Sequence, residues 1–167
     1  MAVRAAPEAE KFPDLSSISP TAEIAELGIC VVGIGASAGG LEAAKKLVQA
    51  LPAVSGLAFI LVQHMDPTHD SMMVELLGRV SPIPVVQAKE GMVLVVDQLY
   101  VIPPGVYLSL NAGILHLSAP LTRHGARLPF DFLLQSLAMS VASRAVCVIL
   151  SGTGADGNEL RMLQSRS

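Results

Sequence analysis

The chain has 167 residues, of which 51% are apolar and only 15% charged, against about 25% charged in an average globular protein. That balance excludes an intrinsically disordered chain and asks for elements covered on both faces. A net charge of -3, with four Phe, two Tyr and no Trp, excludes the basic footprint of a nucleic-acid or anionic-membrane binder and the aromatic platform of a base-stacking one.

Residues 1–25 are rich in Ala, Glu, Pro and Ser without periodicity and read as a mobile tail. They hold Glu8, Glu10, Lys11 and Asp14 and no apolar signal core. From Gly28 to Ile34 a short β-branched run predicts a strand buried on both faces. A Gly/Ala/Ser turn follows, then a helix from Leu41 to Leu51 stopped by Pro52. Leu57–Val62 is a second buried strand, so the three elements make a right-handed, parallel βαβ unit. Asp66-Pro67 reads as an N-cap with proline at the first helical position, opening a helix with Met73, Leu76, Leu77 and Val80 on one face. The middle, Val85 to Ala119, offers short strands at Leu99–Ile102 and Tyr107–Leu110. Asn111-Ala-Gly113 turns the latter back into Ile114–Leu117, and the whole segment reads as an antiparallel insert. Pro129–Ser143 returns to helix, with Phe132, Leu133, Leu137 and Val141 as its stripe. Ala145–Leu150 is the last apolar strand.

These elements predict an α/β, doubly wound, Rossmann-like three-layer domain, mostly parallel with an antiparallel hairpin insert. The longest uncharged run, Leu99 to Thr122, is broken by Pro103, Pro104, Gly105, Asn111, Gly113 and Pro120, and Leu47 to Met65 by Pro52, Gly56 and His64. Neither spans a membrane as a helix, and the expected location is cytoplasmic. Cys30 and Cys147, each inside an apolar run, read as buried reduced thiols.

Ligands of open α/β sheets bind beyond the carboxyl ends of the strands. Beyond the three apolar strands stand Ser37 in Gly35-Ala-Ser-Ala-Gly39, then His64, then Asp156. That is a hydroxyl, an imidazole and a carboxylate. G-x-S-x-G between strand and helix suits a nucleophile elbow, whose serine needs a base and whose base needs an orienting acid. The residues alone leave a second reading open. Gly33-Ile-Gly35-Ala-Ser-Ala38 also fits the dinucleotide fingerprint, although Gln63-His64 stands where a ribose-binding carboxylate is wanted. Asp66, His69 and Asp70 behind His64 have no standard zinc spacing, so no metal and no cofactor is called for. His116 and His124 read as surface residues, and Asp156 has a plain alternative as a helix cap.

Val31-Val-Gly-Ile-Gly-Ala-Ser-Ala-Gly-Gly40, Val62-Gln-His-Met65 and Val148-Ile-Leu-Ser-Gly-Thr-Gly-Ala-Asp-Gly157 together resemble the catalytic domain of chemotaxis protein-glutamate methylesterases of the CheB type. Tyr100-Val-Ile-Pro-Pro-Gly105 and Arg127-Leu-Pro-Phe-Asp131 add to the likeness, which is closest to the branch fused ahead of a receptor methyltransferase. The resemblance implies a serine hydrolase of glutamate methyl esters on the cytoplasmic helices of chemoreceptors, with glutamine deamidation as a companion activity and a methyltransferase as a further partner. It makes Ser37 the nucleophile, His64 the base and Asp156 the orienting acid. Amides near Ala38 and Gly39 are the natural oxyanion donors, as the helix dipole favours.

Ala38 stands where chemotaxis members often carry a hydroxyl, and Thr153 replaces a common methionine at the substrate rim. The family domain also continues past the point where this chain stops, and no receiver domain precedes it. The expectation is a mobile tail over 1–25 and a catalytic domain over 26–167, incomplete at its C-terminus and therefore marginally stable or self-associating. A truncated non-catalytic module and a nucleotide-binding fragment are the alternatives.

Overall fold

The computed structural model describes residues 28–36, 40–63, 72–120 and 129–151. In chain order these form β1 (Cys30–Ala36), α1 (Leu41–Gln49), β2 (Leu57–Gln63), α2 (Met72–Gly78), β3 (Val85–Gln87), β4 (Gln98–Val101), β5 (Tyr107–Asn111), β6 (Ile114–Ser118), α3 (Pro129–Ser140) and β7 (Ala145–Ser151). Five strands make a parallel sheet in the order β3-β4-β2-β1-β7, and β5 and β6 pair as a separate antiparallel hairpin. The start expected for the second helix, at Asp66-Pro67, lies outside the described residues, as does His124.

The sheet separates two apolar layers because successive side chains of a strand point to opposite faces. Val31, Ala58, Ile60, Val62 and Tyr100 pack towards α3 and the hairpin. Val32, Ile34, Phe59, Leu61 and Leu99 pack towards α1 and α2. Three layers result, as the composition required.

One expectation needs correction. Leu99–Ile102 was expected in the antiparallel insert, but β4 lies inside the parallel sheet, paired with β2 on one edge and β3 on the other. Leu99 and Tyr100 are fully buried, as a strand covered on both faces demands. Among the described strands, the hairpin is the antiparallel pair, joined by an isolated antiparallel bridge between Val93 and Ile114. Its turn residues Ala112 and Gly113 both take positive φ, 46° and 76°, as a two-residue turn matching the strand twist requires. The hairpin is fixed to α3 by Ser136, whose Oγ accepts the Leu110 N–H at 2.6 Å and donates to the Leu110 carbonyl at 3.0 Å. Ser140 donates to the same carbonyl, and Tyr107 stacks on Phe132 at 4.8 Å between ring centroids.

Helix α3 approaches β1 closely because two strand positions carry no side chain. A Cβ at Gly35 would lie 2.6 Å from Phe130 Cε1, and one at Gly33 would lie 3.1 Å from Leu137 Cδ1. Gly35→Ala therefore forces the buried Phe130 ring to move and is expected to lose about 1–3 kcal/mol of stability, as overpacked cores do. Gly33→Ala, which meets only a leucine methyl, loses less. Urea unfolding of the two variants side by side checks the order.

Asp97 ties the entry of β2 to that of β4. It adopts a positive φ of 56°, and its Oδ1 accepts from the Ser55 N–H at 2.6 Å, the Ser55 hydroxyl at 2.9 Å and the Gly56 N–H at 2.9 Å. The Ser55 N–H, with the Ser55 hydroxyl next, holds this carboxyl below its ordinary range. Its contribution to stability is thus present above the unfolded carboxyl's pKa of about 4 and is lost as pH falls through the lower folded value. Asp97→Asn should melt below wild type at neutral pH, with the gap closing under acid conditions; thermal melts across pH 2–7 read this out.

Candidate active site

The site is built from the carboxyl ends of three adjacent strands. Ala36, the last residue of β1, is in register with Gln63, the last residue of β2, and with Ser151, the last of β7. The next residue after Ala36 is Ser37, the next after Gln63 is His64, and Asp156 follows Ser151 by five. Ser37, Ala38, Gly39, His64, Thr153 and Asp156 themselves lie outside the described residues. The strand ends from which the chain leads to them form one row. The β1–β7 register shifts there, Gly35 facing Ile149 and Ala36 facing Ser151. That slip is a bulge, a device that re-aims a strand end beside a site.

Helices α1 and α3 flank β1 and both begin at this end of the sheet. Gly40 is the N-cap of α1 and, being glycine, brings no side-chain cap to its first turn. Its leading N–H groups and the helix dipole both favour negative charge there. Glu42, in that first turn, is drawn along the helix to Lys45 at 2.8 Å. On the other face α3 runs against β1, with Phe130 over Gly35 and Leu137 over Gly33, so its first turn stands at the same end. Asp131 in that turn is buried.

Gly33 and Gly35 prove to be strand residues. Their backbone is engaged on both edges of β1 and their open faces are filled from α3. A pyrophosphate cradle needs such glycines in a loop with free amides. Here they serve helix–strand packing.

Gln63, which in the sequence stands only where a dinucleotide site wants a carboxylate and within Val62-Gln-His-Met65, is distinctive in the structure. Its side chain is only 9% exposed, and its Oε1 has no hydrogen-bond partner among the described residues. An unpaired buried acceptor costs about 1–3 kcal/mol and calls for an explanation. The available signal was a lone carboxamide ending an otherwise apolar strand.

His116, expected at the surface, is half-exposed, with Nδ1 2.8 Å from Glu90 Oε1; the other oxygen of Glu90 accepts the Leu117 N–H. It lies on the hairpin, in a local tie between β6 and the loop after β3. Cys30 and Cys147 are free, as expected, but half-buried rather than buried. Burial, aided by the Asp131 carboxylate, pushes the Cys147 thiol up to about 11, so it holds almost no thiolate at neutral pH. At pH 7.5 iodoacetamide should alkylate Cys147 roughly a hundredfold or more slowly than an unfolded cysteine, which peptide mass spectrometry measures directly.

A doubly wound α/β sheet whose three adjacent strands β2, β1 and β7 lead, at one end, to a histidine, a serine and an aspartate defines the class, and the comparisons give the family. The CheB methylesterase family model matches residues 32–164. The chain belongs to that family. It is 33% identical over 157 residues to protein-glutamate methylesterase/protein-glutamine glutaminase 2 of Methanospirillum hungatei, covering 92% of this chain and 44% of that one. To the protein-glutamate methylesterase/protein-glutamine glutaminase of Salmonella typhi it is 35% identical over 133 residues, 76% of this chain and 37% of that one. The chain thus spans less than half the length of these two relatives. The crystal structure of the Thermotoga maritima CheB methylesterase catalytic domain superposes with a TM-score of 0.70 at 26% identity, over 77% of this chain and 70% of that one.

Proposed function

We propose that this chain is a serine hydrolase that removes methyl esters from glutamate side chains of chemoreceptors and, as in the names of its relatives, also deamidates glutamine. The observation that carries the reading is the in-register meeting of Ala36, Gln63 and Ser151, within a domain of the CheB methylesterase family. In this reading residues 26–167 belong to the catalytic domain.

In this reading Ser37 Oγ attacks the ester carbonyl while His64 takes its proton, and Asp156 holds the imidazole in the tautomer that can accept it. Negative charge then develops on the carbonyl oxygen. Amides near Ala38 and Gly39, ahead of the uncapped N-terminus of α1, stabilise it. His64 returns the proton as the C–O bond to methanol breaks. Water then attacks the acyl-serine by the same base, and glutamate is released. No step calls for a metal or a cofactor.

The substrate segments are the cytoplasmic helices of a receptor, which places the enzyme in the cytoplasm; no helix among the described residues is long and apolar enough to cross a membrane. The methyltransferase that makes the ester is the further partner, since it creates the group this site removes.

Methanol release from methylated receptor is the test. Ser37→Ala, His64→Ala and Asp156→Asn should each lower it, Ser37→Ala by about 10³-fold or more, without change in the melting temperature beyond a few degrees. Equal release by wild type and Ser37→Ala would overturn the assignment.

A further inference from the structure

We propose that Phe130 is a positioning residue for the reaction: packed into the space that Gly35 leaves open, its ring fixes the carboxyl end of β1, from which the chain leads to Ser37. The inference rests on the serine-hydrolase reading above and adds a determinant of its rate that touches no reacting atom.

Phe130 is buried in the first turn of α3. The three atoms nearest the position of a Cβ on Gly35 all belong to its ring, at 2.6, 2.7 and 2.9 Å. The ring edge therefore lies against the Gly35 backbone, with no room for a methyl. Two residues back along β1, Gly33 faces Leu137 more loosely, with 3.1 Å to the nearest methyl. The tighter of the two contacts is at the end that leads to Ser37. The β1–β7 register slips at the same point, Gly35 facing Ile149 and Ala36 facing Ser151. On its other edge Gly35 pairs with Val62, which belongs to the same buried layer as Phe130. Gly35 stands two residues before Ser37, and Val62 two before His64.

A bulge disrupts the ladder locally, so hydrogen bonding to β7 constrains this strand end less than a regular pairing would. Packing supplies the missing constraint. Ala36 is held by its side chain in the layer beneath α1 and α2. Gly35 has no side chain to be held by, and the Phe130 ring closes its α3 face instead. A ring packed to crystal-like density cannot give way without moving its neighbours. It thus sets where the last residues of β1 lie between the two layers, and with them the point from which the chain continues to Ser37. Attack on a carbonyl depends on that placement, since an error of about an ångström introduced far from the chemistry can cost on the order of 10²-fold in rate. Such an error weakens the transition state more than it weakens substrate binding, so it shows in kcat with KM little changed.

The experiment measures kcat and KM for methanol release from a methylated receptor fragment by the 167-residue chain, at a temperature where melting curves show each variant folded. Phe130→Leu and Phe130→Met remove the ring, and Gly35→Ala pushes it away. Each should lower kcat about tenfold or more, with KM within about twofold of wild type. Combining Gly35→Ala with Phe130→Leu lets the new methyl fill space that the smaller side chain vacates, so kcat should rise above that of either single variant. Leu137→Ala, further from the strand end, is the control. It should lose at least as much stability as Phe130→Leu and keep kcat within about twofold of wild type. Unchanged kcat in both Phe130 variants overturns the proposal, as does a fall in Leu137→Ala equal to theirs, or a double variant whose losses simply add. Failure of both Phe130 variants to melt cooperatively also overturns it, because Phe130 is then a core residue and nothing more. Wild-type release of methanol with no effect of the Phe130 variants removes the role of Phe130 alone and leaves the esterase reading standing. Wild type that releases no methanol overturns both.

Discussion

Strand β1 hydrogen-bonds on both edges, to β2 over its full length and to β7 over most of it, and the placement of the site depends on this double pairing. Parallel strands share a polarity, so pairing them in register brings their carboxyl ends into one row. Three segments far apart in sequence, ending at Ala36, Gln63 and Ser151, are thereby delivered side by side. Slippage of β2 by one residue would also turn Gln63 to the opposite layer.

The double pairing in turn depends on what covers β1. A strand with neighbours on both edges has no exposed backbone, so its faces must be closed by packing. On one face this is done by Ala44 and Val48 of α1 over Val32, Ile34 and Ala36. On the other, α3 lies against strand positions that lack a Cβ, with Phe130 and Leu137 filling the space. Glycine in a strand interior ordinarily weakens it, but here the loss is offset by the buried ring and leucine that the missing side chains admit. The clamp of Ser136 and Ser140 on Leu110 extends the same helix to the hairpin, so one element secures both sheets. At the outer edge, Val146 and Ile149 of β7 remain about half exposed, a contrast with the fully covered β1 and β2.

Where pattern and covalent neighbourhood sufficed, the sequence was readable. The β-branched runs over β1, β2 and β7, the stop at Pro52 and the turn at Asn111-Ala-Gly113 are local signals, and their elements formed within a residue or two of expectation. Strand β4 was misplaced because its four residues reveal burial but not a pairing partner, which is a non-local fact. The two glycines of β1 matched two loop motifs by letter. Their actual use, admitting Phe130 and Leu137 from a helix about 100 residues later, has no signature in the motif itself. For the site, the strand ends were located from sequence, as were the family words around them. Gln63 was not singled out, because an unpaired acceptor becomes visible only once its surroundings are built.

The electrostatics of this end of the sheet follow in part from the two helices that flank β1, α1 and α3. Both present N-terminal dipole charge to the carboxyl end of the sheet, from opposite faces. In α3 a buried carboxyl, Asp131, occupies the first turn and answers that field from within the chain. In α1 the capping residue is glycine, which brings no side-chain cap, and the first-turn carboxyl of Glu42 bonds Lys45. In the proposed reaction, developing negative charge is favoured on the α1 side, the side onto which β1 leads. A fixed anion bound permanently there would cancel that advantage. A neutral ester or amide, which becomes anionic only at the tetrahedral stage, is the kind of ligand for which an unoccupied donor array lowers the barrier rather than merely the binding energy.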